Sequence, residues 1–380
     1  MITRDLGAAL TAAAIGAMKD GELPSLSLPG GLPTAGSWRP VPPGAGGGPG
    51  TYATSVPFQL AGPLRQDPAR IAGVLAGRLP SAGLVREATP TGHGYLSLMV
   101  SREALARLAV RISQAGSGCA QSEALRGRSL TAPRDARLAS APTWDQAAER
   151  LTAELTGRLA AAAGADVTWT GGPPPATAPA SSAAGPPPAG PPAAGSPVAG
   201  AVAFAGEDAI RLALSRHLQA ARIPAPPSPR GAAARHLGNP AYAVRYAHAH
   251  AASAVRQAAD LGFPKGDAER FQPRLLAHPR ELALLNAMSW LPERVAGAAR
   301  RHQPHVLTAY LEDLAGTYFD WQECCPLAQP GVFPPGPPGE PAPEGAGSPL
   351  LAARLWLADA ARTTLGTGLG LLGVSAPGRR

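Results

Sequence analysis

The spacing of apolar residues changes twice along the first 115 residues of the chain. Apolar side chains at every third or fourth position predict a helix over residues 2–20 and a second helix over residues 69–79. Regular alternation then predicts two strands, at residues 84–87 and 95–100, before helical spacing returns. We therefore predict a small α+β domain over residues 1–115.

The middle of the chain holds one well-marked helix and then loses its hydrophobic pattern. Thr143 stands where an N-cap is expected, Gln146 occupies the capping-box position, and apolar residues recur at helical spacing beyond them. Residues 167–169 follow as a short predicted strand, and we read residues 116–170 as a degenerate segment. Residues 171–200 are almost wholly Pro, Ala, Gly and Ser, which predicts a flexible linker.

Helical spacing dominates the sequence from residue 201 to the end. Two apolar stripes are formed by Leu282, Leu285, Met288 and Leu291 and by Val306, Tyr310 and Leu314. A Pro- and Gly-rich tract at residues 330–349 interrupts the pattern, and we predict a disordered loop there. The predicted fold class is a multidomain protein that ends in an all-α helical bundle over residues 201–380.

Composition and charge argue against a membrane-spanning protein and only slightly favour a nucleic-acid-binding one. The 380 residues carry 34 Lys and Arg against 26 Asp and Glu, and this excess is spread along the chain. Only two of the basic residues are lysines, which we attribute to a biased composition, although arginine binds phosphate well. No uncharged apolar run reaches the roughly 18 residues of a membrane span, and residues 6–18 are interpreted as a buried helix face rather than an export signal.

Residue types that carry metal or covalent chemistry do not cluster in the sequence. His248 and His250 point in different directions on a helix, and the three cysteines form neither a disulfide framework nor a metal-binding spacing. The glycine run at residues 46–48 lacks the Lys-Ser/Thr that completes a phosphate-binding loop. We predict no cofactor and no metal, and the unpaired cysteines favour a reducing cytoplasm.

The C-terminal region carries an ordered series of familiar segments. Residues 239–249 (NPAYAVRYAHA) resemble the start of the anticodon-binding helical domain of arginyl-tRNA synthetases, and residues 291–293 and 304–315 continue the resemblance. Residues 359–362 (DAAR) resemble the Asp-Ala-Leu-Arg tetrad of that domain type, and residues 368–377 resemble its closing segment. The resemblance implies an anticodon-binding helical bundle and tRNA as the partner.

The N-terminal region is similar to the additional domain that these synthetases carry before their catalytic core. Residues 50–61 (GTYATSVPFQLA) and 92–96 (GHGYL) carry this resemblance. In the family this domain contacts the tRNA elbow. Ser55 and Ser97 replace two asparagines of the family pattern, so the sequence leaves open whether the elbow contact persists.

The segment between the two resembling regions departs from the family. A class I synthetase binds ATP through a His-x-Gly-His segment and a Lys-rich loop on a large Rossmann-type core. This chain has no histidine between His93 and His217 and no lysine between Lys19 and Lys265. Residues 143–169 are interpreted as a relic of the first βαβ unit of that core. Because preorganised charge on the phosphates supplies most of the catalysis, we predict that no aminoacyl adenylate forms.

Candidate RNA-binding residues lie mainly on the helix that begins at Pro240. Unpaired bases are recognised by aromatic stacking and Arg contacts to phosphate. The predicted residues are Tyr242, Arg245, Tyr246, His248, His250, Arg256 and Arg362. His250 stands where the family has Arg, which replaces a fixed charge by one that is mostly absent at neutral pH. The sequence leaves open whether Tyr242 and Tyr246 face RNA or the core.

Taken together, these patterns predict a cytoplasmic, non-catalytic tRNA-binding protein that engages the anticodon arm through its C-terminal region. Its partners would be tRNA and a synthetase or other tRNA-using enzyme. One alternative is an arginine-tRNA ligase-like or aminoacyl-tRNA-dependent enzyme that works with a catalytic partner. The other alternative is a protein-interaction module that no longer binds RNA.

Overall fold

The computed structural model describes residues 1–27, 31–32, 36–41, 47–80, 83–171, 195–218, 226–327 and 348–378. Two compact units can be distinguished. Unit 1 contains residues 1–119, 254–293 and 317–361, and unit 2 contains residues 120–253, 294–316 and 362–380. Most of the predicted linker 171–200 and of the predicted loop 330–349 lies outside the described residues, and the predicted domain limits stay predictions.

Unit 1 is built around a four-stranded antiparallel sheet with the strand order β1-β2-β4-β3. Its N-terminal elements are α1 (Ile2–Lys19), β1 (Trp38–Pro40), β2 (Thr51–Thr54), α2 (Val56–Leu64), α3 (Pro68–Arg78), β3 (Val85–Thr91), β4 (Tyr95–Val100), α4 (Arg102–Ala106) and α5 (Leu108–Ala115). The predicted α+β region is therefore confirmed. The sequence pattern missed β1 and β2, which are short and lie in or beside a Gly- and Pro-rich stretch that carries little alternation.

Unit 2 begins with a βαβ arrangement. Its elements are β5 (Ser129–Pro133), α6 (Trp144–Ala162), β6 (Asp166–Thr170), α7 (Pro197–Ala205), α8 (Glu207–Ser215) and α9 (Pro229–Ala233). β5 and β6 pair in parallel, with Ser129 opposite Asp166, and α6 makes the crossover. The predicted cap is present, because the Thr143 hydroxyl accepts a hydrogen bond from the Gln146 amide at 3.3 Å.

The C-terminal half supplies long helices, as predicted. They are α10 (Pro240–Asp260), α11 (Pro279–Ser289), α12 (Leu291–Arg301), α13 (His305–Cys324) and α14 (Pro349–Leu371). α11 lies in unit 1, whereas each of the other four has residues in both units. In the described part of the chain, no helix combines the length and the apolar character needed to cross a bilayer.

Within unit 1, β2 and α11 are joined by a buried polar contact. The fully buried Tyr52 shares a hydrogen bond of 2.6 Å with the Ser289 hydroxyl, and its ring lies 5.1 Å from that of Trp290. A second buried contact joins Glu281 of α11 to Arg354 of α14 at 2.8 Å. The α+β elements and the helices of unit 1 therefore share one core.

Candidate nucleic-acid interface

Three rings form a ladder along one face of α10. Tyr242, Tyr246 and His250 are spaced four residues apart, which places them on the same face of a helix. The rings of Tyr242 and Tyr246 are stacked, with centroids 5.5 Å apart and planes inclined by 21°. The Tyr246 and His250 centroids are 6.1 Å apart. All three residues are half-buried. We call these three residues the ring ladder.

Residues before and within α10 determine where the helix begins and which of its sides packs against the core. Asn239 accepts a hydrogen bond from the Ala241 amide at 3.2 Å, so it caps the helix. Its side-chain amide also donates to the carbonyls of Ala232 and Ala234, at 3.2 and 2.7 Å. The opposite side of α10 is apolar and includes the fully buried Val244. Core packing of that side leaves the half-buried ring ladder on the other side of α10.

Arg245 lies beside the ladder and is held by a carboxylate of α8. Its terminal NH2 nitrogen is 3.5 Å from the carboxylate of Asp208, and a third of its side chain is exposed. Asp208 also accepts hydrogen bonds from the amide and the hydroxyl of Ser375. The Arg245 Nε is buried and has no hydrogen-bond partner among the described residues. The guanidinium is thus oriented by Asp208 and still reaches solvent.

His248 does not join this surface, although it was predicted with it. The side chain is only 6% exposed, and its Nδ1 lies 2.9 Å from the carbonyl of Pro377. Burial lowers the pKa of His248 below its ordinary value, although the bond to Pro377 opposes the shift, and the charge of Arg362 lowers this pKa further. His248 therefore fastens the C-terminal segment to α10 as a neutral side chain.

The two remaining predicted residues lie outside the ladder. Arg256 is exposed in the last part of α10, which belongs to unit 1. Arg362 is half-buried on α14 and lies 3.4 Å from the Thr363 hydroxyl. The structure therefore brings together Tyr242, Arg245, Tyr246 and His250.

A local excess of positive charge around this surface escaped the sequence analysis. No Asp or Glu occurs between Asp208 and Asp260, and this stretch contains seven arginines. The run is not visible when charge is summed over whole domains. It becomes visible when acidic residues are counted in windows of about fifty residues. The run contains α9 and nearly all of α10, so the ring ladder lies in a stretch of sequence whose charged residues are all basic.

Among the residues that the structure describes, the acidic and sulfur-bearing side chains are dispersed. Within the described ranges, no three His, Cys, Asp or Glu side chains are placed to hold a metal ion. Lys265 pairs with Asp359, the first residue of the tetrad, and lies 4.2 Å from the Trp356 ring centroid. This part of the tetrad is engaged in packing contacts within unit 1.

Two family models match the chain. The model of the DALR anticodon binding domain matches residues 244–379, and the model of the arginyl tRNA synthetase N terminal domain matches residues 47–100. The first match covers most of α10 and all of the later helices. The second covers β2, β4 and the elements between them.

Curated relatives match over part of their length. The chain is 39% identical to the arginine–tRNA ligase of Micrococcus luteus over 176 residues, which is 46% of this chain and 30% of that protein. It is 43% identical to the ligase of Frankia alni over 141 residues, or 37% of this chain and 23% of that protein. The matches thus span less than a third of these relatives. Thermus thermophilus arginyl-tRNA synthetase is similar in fold over both whole chains, with a TM-score of 0.59 and 16% identity.

Proposed function

We propose that this chain is a non-catalytic tRNA-binding protein that engages the anticodon arm. Its relation to the arginyl-tRNA synthetases, in both its N-terminal and its DALR-type regions, supports the proposal. The single observation that carries the proposal is the half-buried ring ladder on α10, with the partly exposed Arg245 beside it. Unpaired bases stack on aromatic rings, and arginine pairs with the phosphates between them. We also propose a cytoplasmic location, which the three free cysteines support.

The shape of the βαβ unit supports the non-catalytic part of the proposal. Parallel strands in a catalytic α/β core are covered on both faces and are therefore apolar on both. Here one face of the β5–β6 pair packs on α6, since a Cβ at Gly157 would meet Ala132 and Trp169. The other face carries the exposed Thr131, Thr168 and Thr170. In the described part of the chain no third strand joins this pair.

Binding of an anticodon stem-loop RNA to the full chain tests the RNA-binding part. We expect salt-sensitive binding, and we expect Tyr242→Ala to weaken it by about 1–3 kcal/mol through lost stacking. Phe204→Ala is the matched control, because Phe204 is a strongly exposed aromatic residue on α7, away from the ladder sequence. Equal affinities for the two variants would remove the ring ladder from the proposal.

Arginine-dependent exchange of pyrophosphate into ATP tests the non-catalytic part. We expect the purified chain to give no exchange, with or without tRNA, because the residues that hold ATP phosphates in the related enzymes have no counterpart here. An exchange rate that depends on arginine would contradict this part of the proposal and leave the RNA-binding part standing.

A further inference from the structure

A cavity of about 300 Å³ opens in unit 2 where α10 begins. Its walls come from the end of α8, from α9 and from the loop before α10. The basic or imidazole side chains of Arg216, His217 and His236 line it together with Ser228 and Asn239. Among the described residues no carboxylate lines this cavity, which is the composition expected of an anion site rather than a cation site.

Arg216 is held in place at one edge of its guanidinium. Its Nε is 2.7 Å from the Glu312 carboxylate of α13, and 43% of its side chain is exposed. Burial raises the pKa of Glu312, and the nearby Arg216 opposes that shift. A carboxylate on Nε orients the planar group and leaves its terminal nitrogens to bind a second partner. Arginine presents such a fork to phosphate oxygens more readily than any other side chain.

The cavity adjoins the ring ladder through the backbone of α10. Asn239, Pro240 and Ala241 form part of the cavity wall, and Tyr242 is the next residue along the helix. The cavity wall therefore ends one residue before the residue on which we propose that a base stacks. The whole wall lies within the sequence run that lacks acidic residues, and the carboxylate that faces Arg216 comes from Glu312 of α13, outside that run.

We propose that this cavity binds an internal phosphodiester group of the RNA backbone, next to the base that stacks on Tyr242. Arg216 supplies the charge-assisted contact, and the imidazoles of His217 and His236 supply further hydrogen-bond donors. The inference rests on the proposed RNA-binding function and assigns to it a phosphate site that the ring ladder does not contain.

The test is a titration of the full chain with the stem-loop RNA at several salt concentrations. Removing one phosphate contact lowers the slope of log affinity against log salt by about one. We expect this change for Arg216→Ala, together with a loss of affinity of at least about fivefold. Arg126→Ala is the control, because it removes the same charge from an exposed residue of unit 2 that pairs only locally with Glu123. We expect His236→Ala to lower affinity and Arg216→Lys to restore most of the slope.

The outcomes separate this inference from the proposed function. If the wild-type chain binds RNA and Tyr242→Ala weakens binding, but Arg216→Ala behaves like Arg126→Ala, the phosphate site is wrong and the function stands. If the wild-type chain does not bind, the function itself fails. Stem-loops with and without a 5′-phosphate should bind equally, and binding that requires the terminal phosphate would overturn the assignment to an internal phosphodiester. Circular dichroism of each variant checks that it is folded.

Discussion

Glu154 of α6 is the charged group whose removal should disturb unit 2 most. It is fully buried and accepts hydrogen bonds from the Ala136 amide at 2.8 Å, the Arg158 Nε at 2.7 Å and an Arg211 terminal nitrogen at 2.6 Å. Burial lowers the pKa of Arg211, but the carboxylates of Glu154 and Glu207 more than offset this effect and raise it above its ordinary value. Arg211 is itself only 4% exposed. Since arginine keeps its proton in proteins even without a partner, Glu154→Ala would leave a buried guanidinium that remains charged.

The size of the effect follows from what remains around Arg211. Removing one partner of a buried ion pair costs about 3–5 kcal/mol. Arg211 keeps a contact with Glu207 at 3.3 Å and one with the Leu372 carbonyl at 3.5 Å, which favours the lower end. The Ala136 amide also loses its acceptor, and an unsatisfied buried amide costs about 1–3 kcal/mol. Since the two losses overlap, we expect a loss of about 3–4 kcal/mol in the free energy of unfolding of unit 2.

Hydrogen exchange of peptides from α6, followed by mass spectrometry, measures this loss in unit 2 specifically. Glu123→Ala is the control, since Glu123 forms an exposed pair with Arg126 and should lose at most about 1 kcal/mol. Glu154→Gln keeps an acceptor and should fall between the two. A loss below about 1 kcal/mol for Glu154→Ala would refute the reasoning, because it would mean that Arg211 is satisfied without Glu154.

Two further predictions concern pH and packing. Burial lowers the pKa of His248 in the folded chain, so the unfolded chain binds more protons than the folded chain below about pH 6.5, and stability should fall as the pH drops through that value. Urea unfolding of His248→Gln should therefore show a weaker pH dependence than that of the wild type. Part of the pH dependence should remain, because burial also lowers the pKa of His305. Gly157→Ala should destabilise unit 2 by about 1–3 kcal/mol, because the added Cβ would overlap with Ala132 and lie 3.1 Å from Trp169. Gly73→Ala on α3 is the control, because its Cβ would meet open space. It should stabilise the protein by about 0.4–1 kcal/mol in the same unfolding assay.

The sequence predicted the helices well and the strands incompletely, for a physical reason. Long helices show several turns of periodicity, and a cap such as Thr143 marks their first residue. β5 has five residues, ends in Pro133 and buries only Ala132, so no alternation identifies it. Its parallel pairing with β6 depends on contacts across the intervening α6, which no local pattern encodes.

The candidate surface was predictable in composition but not in orientation. Periodicity placed Tyr242 and Tyr246 on one face of α10, yet it could not say whether that face is turned to solvent. His248 was assigned to the same surface because it lies in the same motif, and only the position of Pro377 shows that it is enclosed. The terminal Arg379 and Arg380 lie outside the described residues.

The βαβ unit contacts the helices that carry the proposed RNA-binding residues. Glu154 of α6 holds Arg211 of α8, and Asp208, one turn earlier on α8, contacts Arg245 beside the ring ladder. Arg158 of α6 also reaches the Gly370 carbonyl near the end of α14. A helix that once served only a nucleotide-binding sheet could be lost with that sheet, but this helix fixes α8 and hence the orientation of Arg245. The contacts of α6 therefore explain its importance in unit 2, because deleting it would leave the buried Arg211 without its closest carboxylate.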